Sequence, residues 1–252
     1  MKLTDILKTI DAVAKKYGTS TPYCVGGIVR DKVLGILDKV DDLDLTTGDQ
    51  SIKMLSQEFD ILLKRKFQIE SKTATDGHHS VFLGNFKIDF SSNFNTPNIE
   101  QILSKKGILN PTEIQKEMFS RDFTCNTLLM TMDLKQIKDP TNMGLIDIKN
   151  KVIRTCLAPE ITLTTNRNRI IRAIYLSAKL DFNVDSSIID YVRSNPSLIK
   201  FSSPKILLEK LNKATSYNLN RTVDLLNKMD LWQHIPITEQ LGPYYNDHIK
   251  QK

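Results

Sequence analysis

The stretch Tyr23-Cys24-Val25-Gly26-Gly27-Ile28-Val29-Arg30-Asp31, continued after a short helical segment by Val40-Asp41-Asp42-Leu43-Asp44-Leu45-Thr46-Thr47-Gly48, decides how this chain is read. Pro22 to Val25 reads as a strand, Gly26-Gly27 as a turn opening a helix, and the second stretch as a strand carrying acids where apolar residues are expected. Side chains alternate along a strand, so Leu43 and Leu45 face a core while Asp42 and Asp44 share the other face. Acids this close repel one another unless a cation or a set of donors compensates; the bland alternative is a solvated turn. Without side chains, Gly26 and Gly27 let an anion approach backbone N–H groups, and Arg30, one turn on, can add a charge-assisted contact. A lone Gly-Gly would equally be a plain strand-to-helix turn. A phosphate cradle beside paired carboxylates is equipment for phosphoryl chemistry.

Working outward, 252 residues suffice for one large domain or two smaller ones. The formal charge of +6 and pI near 9.1 fit a polyanionic partner such as RNA, and equally a solvated lysine-rich surface. Cys24, Cys125 and Cys156 are odd in number and far apart, which suggests neither a disulfide framework nor a structural zinc site. No run approaches membrane-spanning length and the N-terminus lacks a secretory pattern, so a reducing, cytoplasmic setting is expected.

Residues 3–17 and 50–63 carry apolar residues at helical spacing, with Gly18 closing the first helix. Phe67-Gln68-Ile69, His79 to Leu83 and Phe86 to Phe90 alternate as strands, with Gly84-Asn85 as a hairpin turn. Asp89 faces opposite to Ile88 and Phe90, and in a strand beside Asp42 and Asp44 it could complete a carboxylate triad. His78 and His79 chelate poorly as neighbours and read as structural or solvent-facing. Ser91 to Phe119 is irregular, with short helical pieces at Ile99 to Leu103 and Glu113 to Phe119, which suggests a mobile functional loop or an accessory subdomain. Arg121 and Asp122 precede an apolar helix start, where they can bind phosphate and a ribose hydroxyl or simply cap the helix. A second hairpin is expected near Asp139 to Gly144, leading to Leu145–Ile148 and Lys151–Arg154. Beyond Asn166 the pattern is helical, with segments at 185–194, 203–214 and 220–229. An α/β head therefore precedes an all-helical portion, the boundary falling between residues 135 and 160.

Taken in order, Gly26 to Asp31, Asp42-Leu43-Asp44, Arg121 to Asn126, Asp147 to Arg154 and Arg169 to Ile174 resemble the class II tRNA nucleotidyltransferase and bacterial poly(A) polymerase family of the polymerase-beta-like superfamily. Leu225 to Leu231 resembles the segment that opens the family's body domain. The resemblance implies an α+β fold: a nucleotidyltransferase head of mixed sheet and helices over residues 1–140, a helical neck over 141–215 and a truncated helical body over 216–252. It implies two Mg²⁺ ions on Asp42 and Asp44 with Asp89 as the third acid, and a triphosphate held by Gly26, Gly27 and Arg30. Ribose recognition would rest on Arg121 and Asp122, with Asn126 and Arg172 also assigned to nucleotide binding. The implied activity is template-independent addition of C and A, from CTP and ATP, to the 3′ end of tRNA. Poly(A) addition and non-catalytic RNA binding are the alternatives.

Two departures from the family carry chemical content. The Glu-Asp-x-x-Arg motif that selects the incoming base aligns with Thr165-Asn166-Arg167-Asn168-Arg169, so Arg169 is kept and both acids are replaced. An Asn carbonyl still accepts from the amino group of C or A but lacks the charge that orients Arg169, so C and A are expected to stay preferred with weaker discrimination. The family also continues through further body and tail segments, and basic helices around Lys205, Lys210 and Lys213 are candidate RNA contacts or a solvated face.

Overall fold

The computed structural model describes residues 2–37, 40–75, 77–91 and 94–250, the last four by backbone alone. The chain divides into two compact units, Met1–Ile148 and Lys149–Lys252.

In the first unit, α1 (Leu3–Tyr17) buries Ile6, Leu7, Ile10, Val13 and Ala14 and ends at Gly18, whose φ of 66° is left-handed. Then follow β1 (Tyr23–Val25), α2 (Gly27–Val33), β2 (Asp42–Thr46), α3 (Ser51–Lys64), β3 (Glu70–Thr73), β4 (His79–Leu83) and β5 (Phe86–Phe90). The unit continues with α4 (Ile99–Lys105), α5 (Glu113–Ser120), β6 (Leu129–Thr131), β7 (Ile137–Lys138) and α6 (Gly144–Lys149). The strands form one seven-stranded sheet in the order β3-β4-β5-β2-β1-β6-β7. Every neighbouring pair is antiparallel except β2 and β5, whose parallel register sets Asp44 opposite Asp89 and Leu43 opposite Ile88. Leu43, Leu45, Ile88 and Phe90 are buried, and Phe59 of α3 packs on Phe90 with ring centroids 5.7 Å apart. Since α1 packs against α3, these two helices close the apolar face of the sheet, and the acids of β2 and β5 turn to the other. This is the α+β head expected from the sequence.

Several local expectations are corrected. Phe67 is half exposed and β3 starts only at Glu70, because the turn closing α3 runs through Phe67, whose N–H bonds the Leu63 carbonyl. The late hairpin joins β6 to β7 instead of turning near Asp139, and 144–149 is the helix α6. Gly144 seats it: an added Cβ would stand 2.8 Å from the Thr124 carbonyl oxygen, and Thr124 donates to Asp147 Oδ2 at 2.7 Å. Arg121 and Asp122 lead into a single 3₁₀ turn, Thr124–Asn126, and then β6, not into a helix. The helical pieces expected at 99–103 and 113–119, by contrast, are present as α4 and α5, the latter opened by a reciprocal Thr112–Gln115 capping box; residues 92 and 93 lie outside the described residues.

In the second unit, β8 (Val152–Ile153) pairs in parallel with β9 (Asn183–Val184). The helices are α7 (Pro159–Thr165), α8 (Asn168–Leu180), α9 (Ser186–Ser194), α10 (Pro204–Tyr217), α11 (Leu219–Lys228) and α12 (Gly242–Lys250). Helix α8 is central, burying Ile170, Ile171, Ala173 and Ile174 with α10 and α11 packed on it. Arg221 of α11 donates to the Phe182 carbonyl at 2.9 Å and pairs with Asp181 at 2.6 Å, tying α11 to the end of α8. No helix among the described residues is long and apolar enough to cross a membrane.

Candidate active site

Strand β1 delivers Gly26 in a backbone conformation, φ 79° and ψ −138°, that only glycine adopts without strain. Val25 lies opposite Asp44 in the sheet, so the turn passes directly over that carboxylate. A Cβ on Gly26 would sit 2.9 Å from Asp44 Oδ2 and 3.8 Å from Arg121 Nη1. The glycine is thus required twice, by its dihedrals and by the acid beneath it.

Asp42, Asp44 and Asp89 each present a carboxylate oxygen, and these oxygens all lie within 4.8 Å of one another. They are not equivalent electrostatically. Burial pushes Asp44 up to about 6, with Arg121 pulling it down and Asp42 and Asp89 pushing it further up. Burial also raises Asp42, against the opposing pull of Lys87. Burial alone would raise Asp89 too, but hydrogen bonds from His78, Lys87 and Ser80 outweigh it and bring that carboxyl to about 2. Lys87 forms an ion pair with Asp89 Oδ2, and His78 Nε2 stands 3.4 Å from Asp89 Oδ1. His78 therefore faces the acidic site, contrary to the expectation of a structural or solvent-facing residue. His79, one position on, is buried on the other face against Thr73. One acid is neutralised by the protein and two keep a deficit of positive charge. Three hard oxygen donors converging from two adjacent strands fit a divalent cation of the Mg²⁺ or Mn²⁺ type.

Of the other expected residues, Arg121 lies beside Asp44 and the glycine turn. Arg30, expected at a triphosphate, is only 3% exposed and bonds Asn126 Oδ1 at 2.7 Å and Asp31 Oδ1 at 2.8 Å. Asn126 in turn donates to Asp122 Oδ1 at 3.1 Å, and the same oxygen accepts the Phe123 N–H at 2.8 Å. Asp31, Arg30, Asn126 and Asp122 thus form one chain bracing α2 against the 3₁₀ turn that follows Arg121. Asn166, Arg169 and Arg172 belong to the second unit. Exposed Asn166 lies between α7 and α8, its Oδ1 accepting the Asn168 N–H at 3.1 Å, and buried Arg169 donates to the Thr162 carbonyl at 3.1 Å.

Lys87 and Glu117 were not among the expected site residues. Lys87 could have been found from period two, since it shares a strand face with Asp89. Glu117 is 2% exposed in α5 and looks in sequence like any helix-surface acid.

Residues 22–154 match the model of the Poly A polymerase head domain. A tRNA nucleotidyltransferase of Schizosaccharomyces pombe is 27% identical over 231 residues, which are 84% of this chain and 47% of that protein. An A-adding tRNA nucleotidyltransferase of Aquifex aeolicus is 24% identical over 240 residues, 91% of this chain and 27% of that one. Among solved structures, the Bacillus stearothermophilus CCA-adding enzyme in complex with CTP superposes with a TM-score of 0.71 at 21% identity, over 94% of this chain and 55% of that one. The chain spans about half the length or less of these relatives. Because the head-domain match takes in the glycine turn, all three acids and the Arg121-Asp122 motif over more than half of the sequence, the chain belongs to the poly(A) polymerase head-domain family, alongside the class II CCA-adding enzymes.

Proposed function

We propose that the protein is a template-independent nucleotidyltransferase adding C and A to the 3′ end of tRNA. The observation that carries this reading is the convergence of Asp42, Asp44 and Asp89 beside the glycine turn and Arg121. The names of its relatives, tRNA nucleotidyltransferases among them, support the choice of substrate. In the reaction, the terminal hydroxyl attacks the α-phosphate of CTP or ATP in line, its oxygen bonding phosphorus as pyrophosphate departs. Asp42 and Asp44, with Asp89 as the third acid, would hold two Mg²⁺ ions, which supply charge neutralisation for the attacking and leaving oxygens.

The chain's own groups do the rest. Gly26 and Gly27 leave room for the triphosphate, and Arg121 offers guanidinium donors beside Asp44. Lys87 keeps Asp89 ionised and fixed between encounters. The chain from Asp31 to Asp122 holds Arg30 and Asn126 behind the nucleotide, with Asp122 edging the ribose. In the second unit, read as neck and the start of a body, Asn166, Arg169 and Arg172 select the base. A cytoplasmic location accords with three buried cysteines in the thiol form, of which burial pushes Cys24 and Cys125 up to about 12, leaving those two inert.

The test is incubation with Mg²⁺, labelled CTP or ATP, and tRNAs ending before, within or after CCA. Addition that stops at CCA is expected. Long A tails would replace the reading with poly(A) addition, and no incorporation would leave an RNA-binding protein of the same fold.

A further inference from the structure

Glu117 lies on α5, and among the described residues its carboxylate meets Thr46, Ser91 and Arg121. Oε2 accepts the Thr46 hydroxyl, while Oε1 accepts the Ser91 hydroxyl at 3.2 Å and faces Arg121 Nη2 at 3.5 Å. Thr46 stands two residues beyond Asp44 on the same face of β2, and Ser91 two residues beyond Asp89. One buried carboxylate therefore joins the ends of both acid-bearing strands to the arginine beside Asp44. Helix α5 can approach so closely because Gly48, at φ 79°, has no side chain: a Cβ there would stand 2.7 Å from Ile114 Cδ1 and 3.0 Å from Ile114 Cα.

Two details separate a device from a strut. Hydroxyls of Thr46 and Ser91 would be satisfied by a neutral amide, since each can donate or accept, so joining the strands does not require a charge. Burying a carboxylate is costly, and here its cationic neighbour is Arg121. Among the described residues Arg121 is held along one edge: its Nε is buried with no hydrogen-bond partner among them, and Nη1 reaches toward Gly26.

We propose that Glu117 is a positioning residue that aims the Arg121 guanidinium across the glycine turn at the incoming nucleoside triphosphate. This rests on the nucleotidyltransferase reading above. Glu117→Gln is expected to raise KM for CTP about tenfold, the loss of one charge-assisted hydrogen bond, with kcat nearly unchanged. Arg121→Gln should raise KM at least as much, and the double variant should be no worse than Arg121→Gln alone. Glu117→Asp, which keeps the charge, should recover part of the loss, and it decides the matter alone if Glu117→Gln fails to fold. A KM unchanged in folded Glu117 variants, or losses that add in the double variant, would overturn the positioning role while leaving the activity standing. A native chain that neither binds CTP nor extends any tRNA would overturn both.

Discussion

At the scale of single residues, Asp44 shows what the site sacrifices for its chemistry. Its folded-state carboxyl is pushed up from 3.8 to about 6 because it is buried, with Arg121 pulling it down and Asp42 and Asp89 pushing it up. The unfolded chain releases this proton at lower pH than the folded chain does. Stability therefore falls as pH rises through that window and stays low above it. That rise of the carboxyl's pKa corresponds to at most about 3 kcal/mol. Asp44→Asn should thus melt about 2–4 °C higher than the native chain in EDTA at pH 7.5, while losing incorporation altogether. Adding Mg²⁺ should raise the native Tm and leave the variant's unchanged. A variant that melts lower in EDTA, or still responds to Mg²⁺, would remove Asp44 from the ion site. Asp42 and Asp44 were legible because period two puts both on one face whatever the rest of the chain does. The pairing of Asp44 with Asp89 was legible only as a possibility, since a parallel register between distant strands leaves no local signal. His78 was misread for a related reason: which face a residue just outside a strand takes depends on where pairing begins, and β4 starts one residue later.

At the scale of elements, several amphipathic helices emerged almost within a residue of their spacing, because burial of one stripe dictates both ends. α1, α3, α9 and α11 are of this kind, while α10 runs to Tyr217, three residues past the expected 214. Short apolar runs fared worse. Leu145–Ile148 suits strand or helix alike, and Gly144 packing under the Thr124 carbonyl decides for helix. The junction after β2 shows how side chains outside the strands fix the head. Asp49 accepts hydrogen bonds from Ser20 beyond α1, from Thr47, and from both the N–H and hydroxyl of Ser51 at the start of α3. Partial burial would raise its carboxyl, but these bonds prevail and lower it from 3.8. A depressed folded-state value gives stability that is complete above the unfolded pKa and lost as pH falls through the folded one, here below about pH 4. Asp49→Asn should cost about 1 kcal/mol at pH 7, after allowance for solvent screening at this partly exposed site. Urea unfolding at pH 7 and again near pH 3 measures it: the gap between native and variant should close in acid. A gap of equal size at both pH values would show that shape, not charge, is what Asp49 contributes.

At the scale of the whole chain, the acids and the residues proposed to read the base fall in different compact units. Asp42, Asp44, Asp89 and Arg121 lie within 1–148, and Asn166, Arg169 and Arg172 within 149–252. In the sequence, the periodicity changes from alternating to helical between residues 135 and 160. Under the proposed function two roles are therefore separate, ion binding by the acids of the first unit and base choice by residues of the second, and each can be read on its own. Asn166→Asp restores a charged acceptor to orient Arg169. That should raise the preference for C and A over G and U about tenfold, the value of one charge-assisted hydrogen bond. The same variant should keep the native shift of Tm with Mg²⁺, because it leaves the acids of the first unit untouched. Asp44→Asn should do the reverse, abolishing incorporation of all four nucleotides alike. Single-turnover incorporation of CTP, ATP, GTP and UTP on a tRNA lacking CCA, run beside melting curves with and without Mg²⁺, reads both arms at once. If the native chain uses all four nucleotides equally, or Asn166→Asp leaves their ratio where it was, Asn166 does not read the base, and selection rests on other residues.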